Sequence, residues 1–208
     1  MRSALLLGVS ALLFGCPTGG GGAPVADVTP LTLDFVTLEV GDWEILEVTV
    51  RNAGTSQLNV TAAELVDDEA DSPFTSGGAA MALRPAESGT ISVSFRPQDP
   101  GTYDATLRFE TNGAREPLVE IPLAGIAVAP ALSVAPEAVD FGERPDGCTV
   151  TETITLTNTG DAPLLALDVS ISGDDEGLEL EGADEPIDLD PAAEVALTAT
   201  WTPVGGET

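Results

Sequence analysis

Histidine and lysine are both absent from these 208 residues, cysteine occurs twice, tryptophan twice and tyrosine once. Each gap closes a class of chemistry. Without histidine there is no imidazole base, no Ser-His triad and no His ligand for zinc. Without lysine there is no Schiff-base or ammonium nucleophile. Seven Arg stand against 35 Asp plus Glu, a formal charge of −28, so the chain cannot replace counterions along phosphates and a nucleic-acid partner is excluded. The expectation is a protein that is not an enzyme and takes no cofactor and no small-molecule substrate. What is abundant is Gly (22) and Pro (16), beside many Val, Thr, Leu and Ala and only nine aromatics. That mixture predicts a turn-rich β protein, and the length suits one large domain or two of about 100 residues.

Met1-Arg2-Ser3 is a short positive start, and Ala4 to Phe14 is an apolar run. As a helix it would span roughly 16 Å, short of the ~20 residues a bilayer needs, so it reads as a signal-peptide core and not a membrane span. Leu13-Phe14-Gly15-Cys16 then resembles the bacterial lipobox, with Phe14 where a smaller residue is usual. The resemblance implies cleavage between Gly15 and Cys16, a diacylglyceryl thioether on the Cys16 sulfur and acylation of the new amino terminus. Several acyl chains together hold a protein on a membrane where one is marginal. Pro17 in place of Asp after the Cys implies delivery to the outer membrane. The alternative is an ordinary secretory signal with an incidental Cys. Residues 1–15 are thus assigned to a lipoprotein signal peptide and 16–30, with its Pro17-Thr18-Gly19-Gly20-Gly21-Gly22 tract, to a flexible tether. With Cys16 lipidated, Cys148 has no partner for a disulfide; it is read as a small buried apolar residue, the alternative being a free thiol near a turn.

The remainder repeats itself. At an offset of 106, Asp34-Phe35 falls on Asp140-Phe141, Asn52-Ala53-Gly54 on Asn158-Thr159-Gly160, Leu83-Arg84-Pro85 on Leu189-Asp190-Pro191, and Phe95-Arg96-Pro97 on Trp201-Thr202-Pro203. Core and turn residues matching at one offset argue tandem modules of immunoglobulin size. Within each, apolar residues alternate with polar ones: Ile91, Val93 and Phe95, then Tyr103, Ala105, Leu107 and Phe109, and in the second copy Val195, Leu197, Ala199 and Trp201. Period-two alternation between Gly, Asn and Pro breaks predicts antiparallel strands with one buried face. The predicted strands of the first copy are 31–35, 44–51, 57–65, 79–83, 88–95, 101–110 and 116–124. Asn52-Ala53-Gly54 and Asn158-Thr159-Gly160 supply residues tolerant of positive φ where a strand must reverse, and Pro97 and Pro203 are expected to end strands.

Phe35, Asn52, Gly54, Leu58, Leu83, Pro85, Phe95, Pro97, Gly101, Tyr103, Pro122, Leu123 and Gly125 together resemble the ASH domain, also called the Hydin-type or MSP-like immunoglobulin fold. The second copy contributes Phe141, Gly142, Asn158, Gly160, Leu164, Leu189, Pro191, Trp201 and Pro203. Val36 departs from the usual Gly, and Ala86 and Ala192 stand where Gly usually follows Leu-x-Pro. The resemblance implies an all-β protein of tandem seven-strand sandwiches, a fold common in bacterial surface lipoproteins. The domains are placed at 31–126 and 132–208, joined by a linker at 127–131. Residue 208 corresponds to 102 of the first copy, so the second is expected to lack its last two strands. The chain then reads as a fragment of a longer repeat protein or a broken gene prediction, the alternative being strand donation by a partner or second copy.

The acidic runs Asp67-Asp68-Glu69-Ala70-Asp71 and Asp174-Asp175-Glu176 are read as solvated loops. Asp67, Asp68, Asp71, Asp174 and Asp175 are weak Ca²⁺ candidates, because none has the spacing of a dedicated loop. Trp43 is placed at the edge of the core. The functional expectation is a non-catalytic, lipid-anchored protein of the bacterial outer membrane, periplasmic or surface-exposed, whose modules are spacers or protein-binding units for a partner the residues do not name. The alternatives are an adhesive or carbohydrate-binding module, calcium-assisted, and the stalk of a longer protein.

Overall fold

The computed structural model describes residues 22–67, 72–113, 115, 117–173 and 176–204, and among them every regular element is a strand. The first eleven are β1 (Ala26–Thr29), β2 (Leu33–Asp34), β3 (Leu38–Glu39), β4 (Glu44–Asn52), β5 (Leu58–Val60), β6 (Glu64–Val66), β7 (Phe74–Gly77), β8 (Met81–Leu83), β9 (Ser88–Phe95), β10 (Gly101–Glu110) and β11 (Leu118–Val128). One sheet runs β1-β4-β9-β7; a second runs β2-β11-β10-β6, with β3 also on β11; β5 and β8 form a separate pair. The strands pair antiparallel except β2 and β3, which lie parallel to β11.

Alternation explains the layering. Along β9, Ile91, Val93 and Phe95 are buried and their neighbours are not; along β10 and β11 the buried set is Ala105, Leu107, Phe109 and Val119, Ile121, Leu123. These sets close on Val48 and Val50 of β4 to make one core. Phe95 sits among Phe35, Phe74 and Tyr103, with ring centroids 5.4, 4.8 and 5.8 Å away. Burying one such ring contributes about 1.5–3 kcal/mol, and each aromatic pair about 0.5–1.5 kcal/mol more.

The remaining strands are β12 (Leu132–Ala135), β13 (Val150–Asn158), β14 (Leu164–Leu167), β15 (Leu178–Glu181), β16 (Ile187–Leu189) and β17 (Glu194–Trp201). Their sheet, β12-β13-β17-β15, repeats β1-β4-β9-β7, and β14-β16 repeats β5-β8. The register repeats as well: Val48 opposes Ile91, and 106 residues on Ile154 opposes Leu197. Cis peptide bonds fall at the same place in both, Thr29-Pro30 and Ala135-Pro136.

Several expectations are corrected. The tether placed at 16–30 gives up Ala26–Thr29 to β1, because Val28 turns inward and the backbone pairs with β4 from Ala26 on Asn52 to Thr29 on Thr49. The linker placed at 127–131 shrinks from its start, since β11 continues to Val128 with Ala127 buried against β3. Seven strands become eleven. The predicted strand 57–65 divides where Thr61 donates its N–H to the Glu110 carbonyl oxygen (2.9 Å), so β5 stays with β8 and β6 crosses to β10. β7 is additional: its Gly77 and Ser76 hide the alternation that Phe74 begins, yet it pairs with β9 along its whole length.

Candidate functional site

The two Asn-x-Gly turns are the most repeated feature of the structure. Asn52 is fully buried at the end of β4; its Nδ2 donates to the carbonyl oxygens of Ser56 (2.8 Å) and Leu83 (2.9 Å), and its Oδ1 accepts the Gly54 N–H (2.9 Å). Asn158 does the same with Ala162 (2.8 Å), Leu189 (2.9 Å) and Gly160 (3.0 Å). A side chain with two donors and one acceptor thereby ties the end of one strand to the end of another 31 residues away, β8 for Asn52 and β16 for Asn158. Their tolerance of positive φ is not used, since neither Asn nor either Gly of the motif adopts it. Gly54 and Gly160 are required by close approach, since a Cβ there would lie 2.3 Å from the carbonyl oxygens of Ala23 and Ala129.

Positive φ falls instead on Ala86 (69°) and Ala192 (62°), the two positions where Ala stands in place of the Gly that usually follows Leu-x-Pro. Pro85 and Ala86 are the central residues of a turn closed by the Glu87 N–H on the Arg84 carbonyl oxygen (3.0 Å); Pro191 and Ala192 repeat it, closed by Ala193 on Asp190 (2.9 Å). Pro followed by a left-handed residue is the type II pattern, which favours Gly in that second place. The Ala86 and Ala192 N–H groups in turn donate to the Asn52 and Asn158 carbonyl oxygens, both at 2.9 Å.

Pro97 and Pro203 are buried just after β9 and β17, and their carbonyl oxygens accept the N–H of Gly41 (3.2 Å) and Gly147 (2.9 Å). Phe35, Phe95, Tyr103 and Gly125 meet at one place in the first module. In the second, Phe141 packs on Trp201 with centroids 5.9 Å apart, and both stay half-buried. The role of Gly125, and the staple made by each Asn, escaped the sequence reading; the recurrence of Asn and Gly at one offset was the available signal, and it named positions without partners.

Gly15, Cys16, Asp68, Asp71, Asp174 and Asp175 lie outside the described residues. Asp67 is described: with Asp104, Thr102 and Pro122 it lines an open cavity of about 460 Å³. Among the described residues no group of three or more Cys, Asp or Glu is arranged to hold a metal. Cys148 is exposed in the turn closed by its N–H on the Pro145 carbonyl oxygen (3.0 Å), which corrects the reading as a buried apolar residue. Trp43 is 62% exposed, not at the core edge: its strand neighbours Leu46 and Val48 turn inward from β4, while Trp43 and Ile45 turn to solvent.

These features define an immunoglobulin-like β-sandwich whose frame is built by buried Asn staples. Residues 24–125 match the family model of the HYDIN/CFA65/VesB-like, Ig-like domain, in keeping with the immunoglobulin-like fold of the first module. No curated protein matches the sequence significantly. Among solved structures, the ASH/PapD-like domain 7 of human CEP192 shares 15% identity over 61% of this chain and 99% of its own, with a TM-score of 0.45. The Caenorhabditis elegans MSP family member WR4 shares 11% identity over 50% of this chain and 97% of its own, with a TM-score of 0.33. The CsuC-CsuE chaperone–tip adhesion subunit pre-assembly complex of Acinetobacter baumannii shares 11% identity over 88% of this chain and 89% of its own, with a TM-score of 0.38.

Proposed function

We propose that this chain is a non-catalytic, lipid-anchored cell-envelope protein, held on the outer membrane through Cys16, whose Ig-like modules act as spacers or as a docking platform for a protein partner. The observation that carries the reading is the repeated staple, Asn52 in one module and Asn158 in the next with the same partners to within 0.1 Å. A fully bonded buried polar group pins a strand end to the end of a distant strand, and repetition of a rigid unit is what an extended spacer needs. The anchor is supported by Leu13-Phe14-Gly15-Cys16 and the Gly-rich tract after it. The test is to express the full chain in a diderm bacterium supplied with an alkyne fatty acid. Label and membrane fractionation on the wild type, both lost in Cys16→Ser, are the expected result; an unlabelled, soluble wild-type product would end the reading.

The exposed Trp43 ring favours a second reading, a glycan-binding module, because a solvent-facing aromatic is the usual sugar platform. A glycan array with and without Ca²⁺, on wild type and Trp43→Ala, separates it from the first: binding that needs Trp43 supports it, and no binding removes it.

A further inference from the structure

Where the two modules join, consecutive carbonyl oxygens are held by different partners. That of Val128, the last residue of β11, accepts the Val40 N–H of the first module (2.9 Å). That of Ala129 accepts the N–H groups of Asp161 (3.1 Å) and Ala162 (3.3 Å), just after the Asn-x-Gly turn of the second. Peptide units are planar, so only φ and ψ of Ala129 separate the two fixed planes. Pro130 comes next; its ring disfavours the helical region for the residue before it and locks its own φ. The connection has no slack.

Beyond Ala129 the same turn takes hold of the chain again. The Ala131 carbonyl oxygen accepts the Thr159 N–H (2.7 Å), and the Ala131 N–H donates to Asn158 Oδ1 (3.3 Å), the oxygen that also accepts from Gly160. Gly160 lies flat on this segment, where a Cβ would collide with the Ala129 carbonyl oxygen and the Ala131 nitrogen. The first module grips Ala23-Pro24-Val25 in the same way, with Thr55 on Ala23 (3.1 Å) and Ala53 on Val25 (2.8 Å). What comes before the grip differs: in sequence Gly19-Gly20-Gly21-Gly22 precede Ala23, whereas β11 precedes Ala129.

We propose that each Asn-x-Gly turn is a socket for the Ala-Pro-x segment just ahead of its module, and that the second socket, closing directly on the end of β11, is a stiff joint that fixes one module relative to the other. Relative motion is the default for modules joined by a linker; here the two dihedrals that could supply it belong to a residue bonded on both sides and followed by proline. Surfaces on the two modules are thereby presented at one fixed spacing. The joint is made by backbone groups of 128–131 and needs no lipid, so it stands apart from the anchor on Cys16.

The test places nitroxide labels on Cys148 and on Thr49→Cys, exposed positions in different modules, in the full chain carrying Cys16→Ser so that no third thiol reacts. Pulsed electron–electron dipolar spectroscopy reads the distribution of distances between them. Expected is one narrow peak, broadened about twofold or more when Gly-Ser-Gly-Ser is inserted between Val128 and Ala129, since such linkers behave as flexible coil. Gly160→Ala, which expels Ala129 from the socket, is expected to broaden the peak as well. The insertion leaves both sockets intact and decides the matter even where Gly160→Ala fails to fold. Equal widths with and without the insertion overturn the joint. A Gly160→Ala chain with β13 and β17 still protected from amide exchange, and a peak as narrow as before, overturns the socket as its cause.

Discussion

A Cβ on Gly125 would lie 2.7 Å from Cζ of Phe95, closer than non-bonded carbons approach. The two residues come from opposite sheets, and the ring uses the space that a side chain on β11 would fill. Gly125→Ala therefore forces Phe95 off its position among Phe35, Phe74 and Tyr103. Overpacking of this kind costs about 1–3 kcal/mol. Urea unfolding followed by Trp43 and Trp201 fluorescence should show a lower midpoint with unchanged slope; an unchanged midpoint would mean the core yields freely.

Replacing Asn52 removes two donors and an acceptor from a buried position. Asn52→Ala leaves the carbonyl oxygens of Ser56 and Leu83 and the Gly54 N–H short of partners, and each buried unsatisfied group costs about 1–3 kcal/mol. A loss of ~3 kcal/mol or more is expected for the first module, read by thermal denaturation. Thr49→Ala, on the exposed side of the same strand, serves as the benign comparison.

Ala86 and Ala192 should gain from substitution by Gly. Their left-handed backbone costs an L-residue roughly 1–2 kcal/mol, against about 0.4–1 kcal/mol of extra unfolded-state entropy that Gly brings. A net gain of about 0.5–1 kcal/mol is expected for Ala86→Gly, a rise of a few degrees in Tm for a unit of ~100 residues. A fall in Tm would show that the turn is not strained.

Arg108 and Glu120 oppose each other across β10 and β11 and form the salt bridge seen among the described residues, 2.7 Å long. With the two side chains 38% and 48% exposed, solvent screens the attraction, and Arg108→Ala should change stability by less than about 1 kcal/mol. A double-mutant cycle with Glu120→Ala measures the coupling, and a value well above that bound would contradict the screening argument.

Much of this fold is written locally. Ile91-Ser92-Val93-Ser94-Phe95 alternates because a strand's side chains alternate faces, so inward and outward residues of β9, β10 and β17 are readable from order alone. The offset of 106 is likewise a property of the chain, and extended backwards it pairs Val28-Thr29-Pro30 with Val134-Ala135-Pro136, the clue to β1 that the Gly-rich composition before it obscured. Tertiary structure decided what depends on neighbours distant in sequence. Asn52 became a staple because folding brought the Leu83 carbonyl to it; Gly125 became obligatory because the Phe95 ring arrived from the other sheet. Cys148 and Trp43 went to solvent for the same reason in reverse. Their residue types favour burial, but both lie off the packed faces of the sheets, and burial is granted by the partner surface and not by the side chain alone.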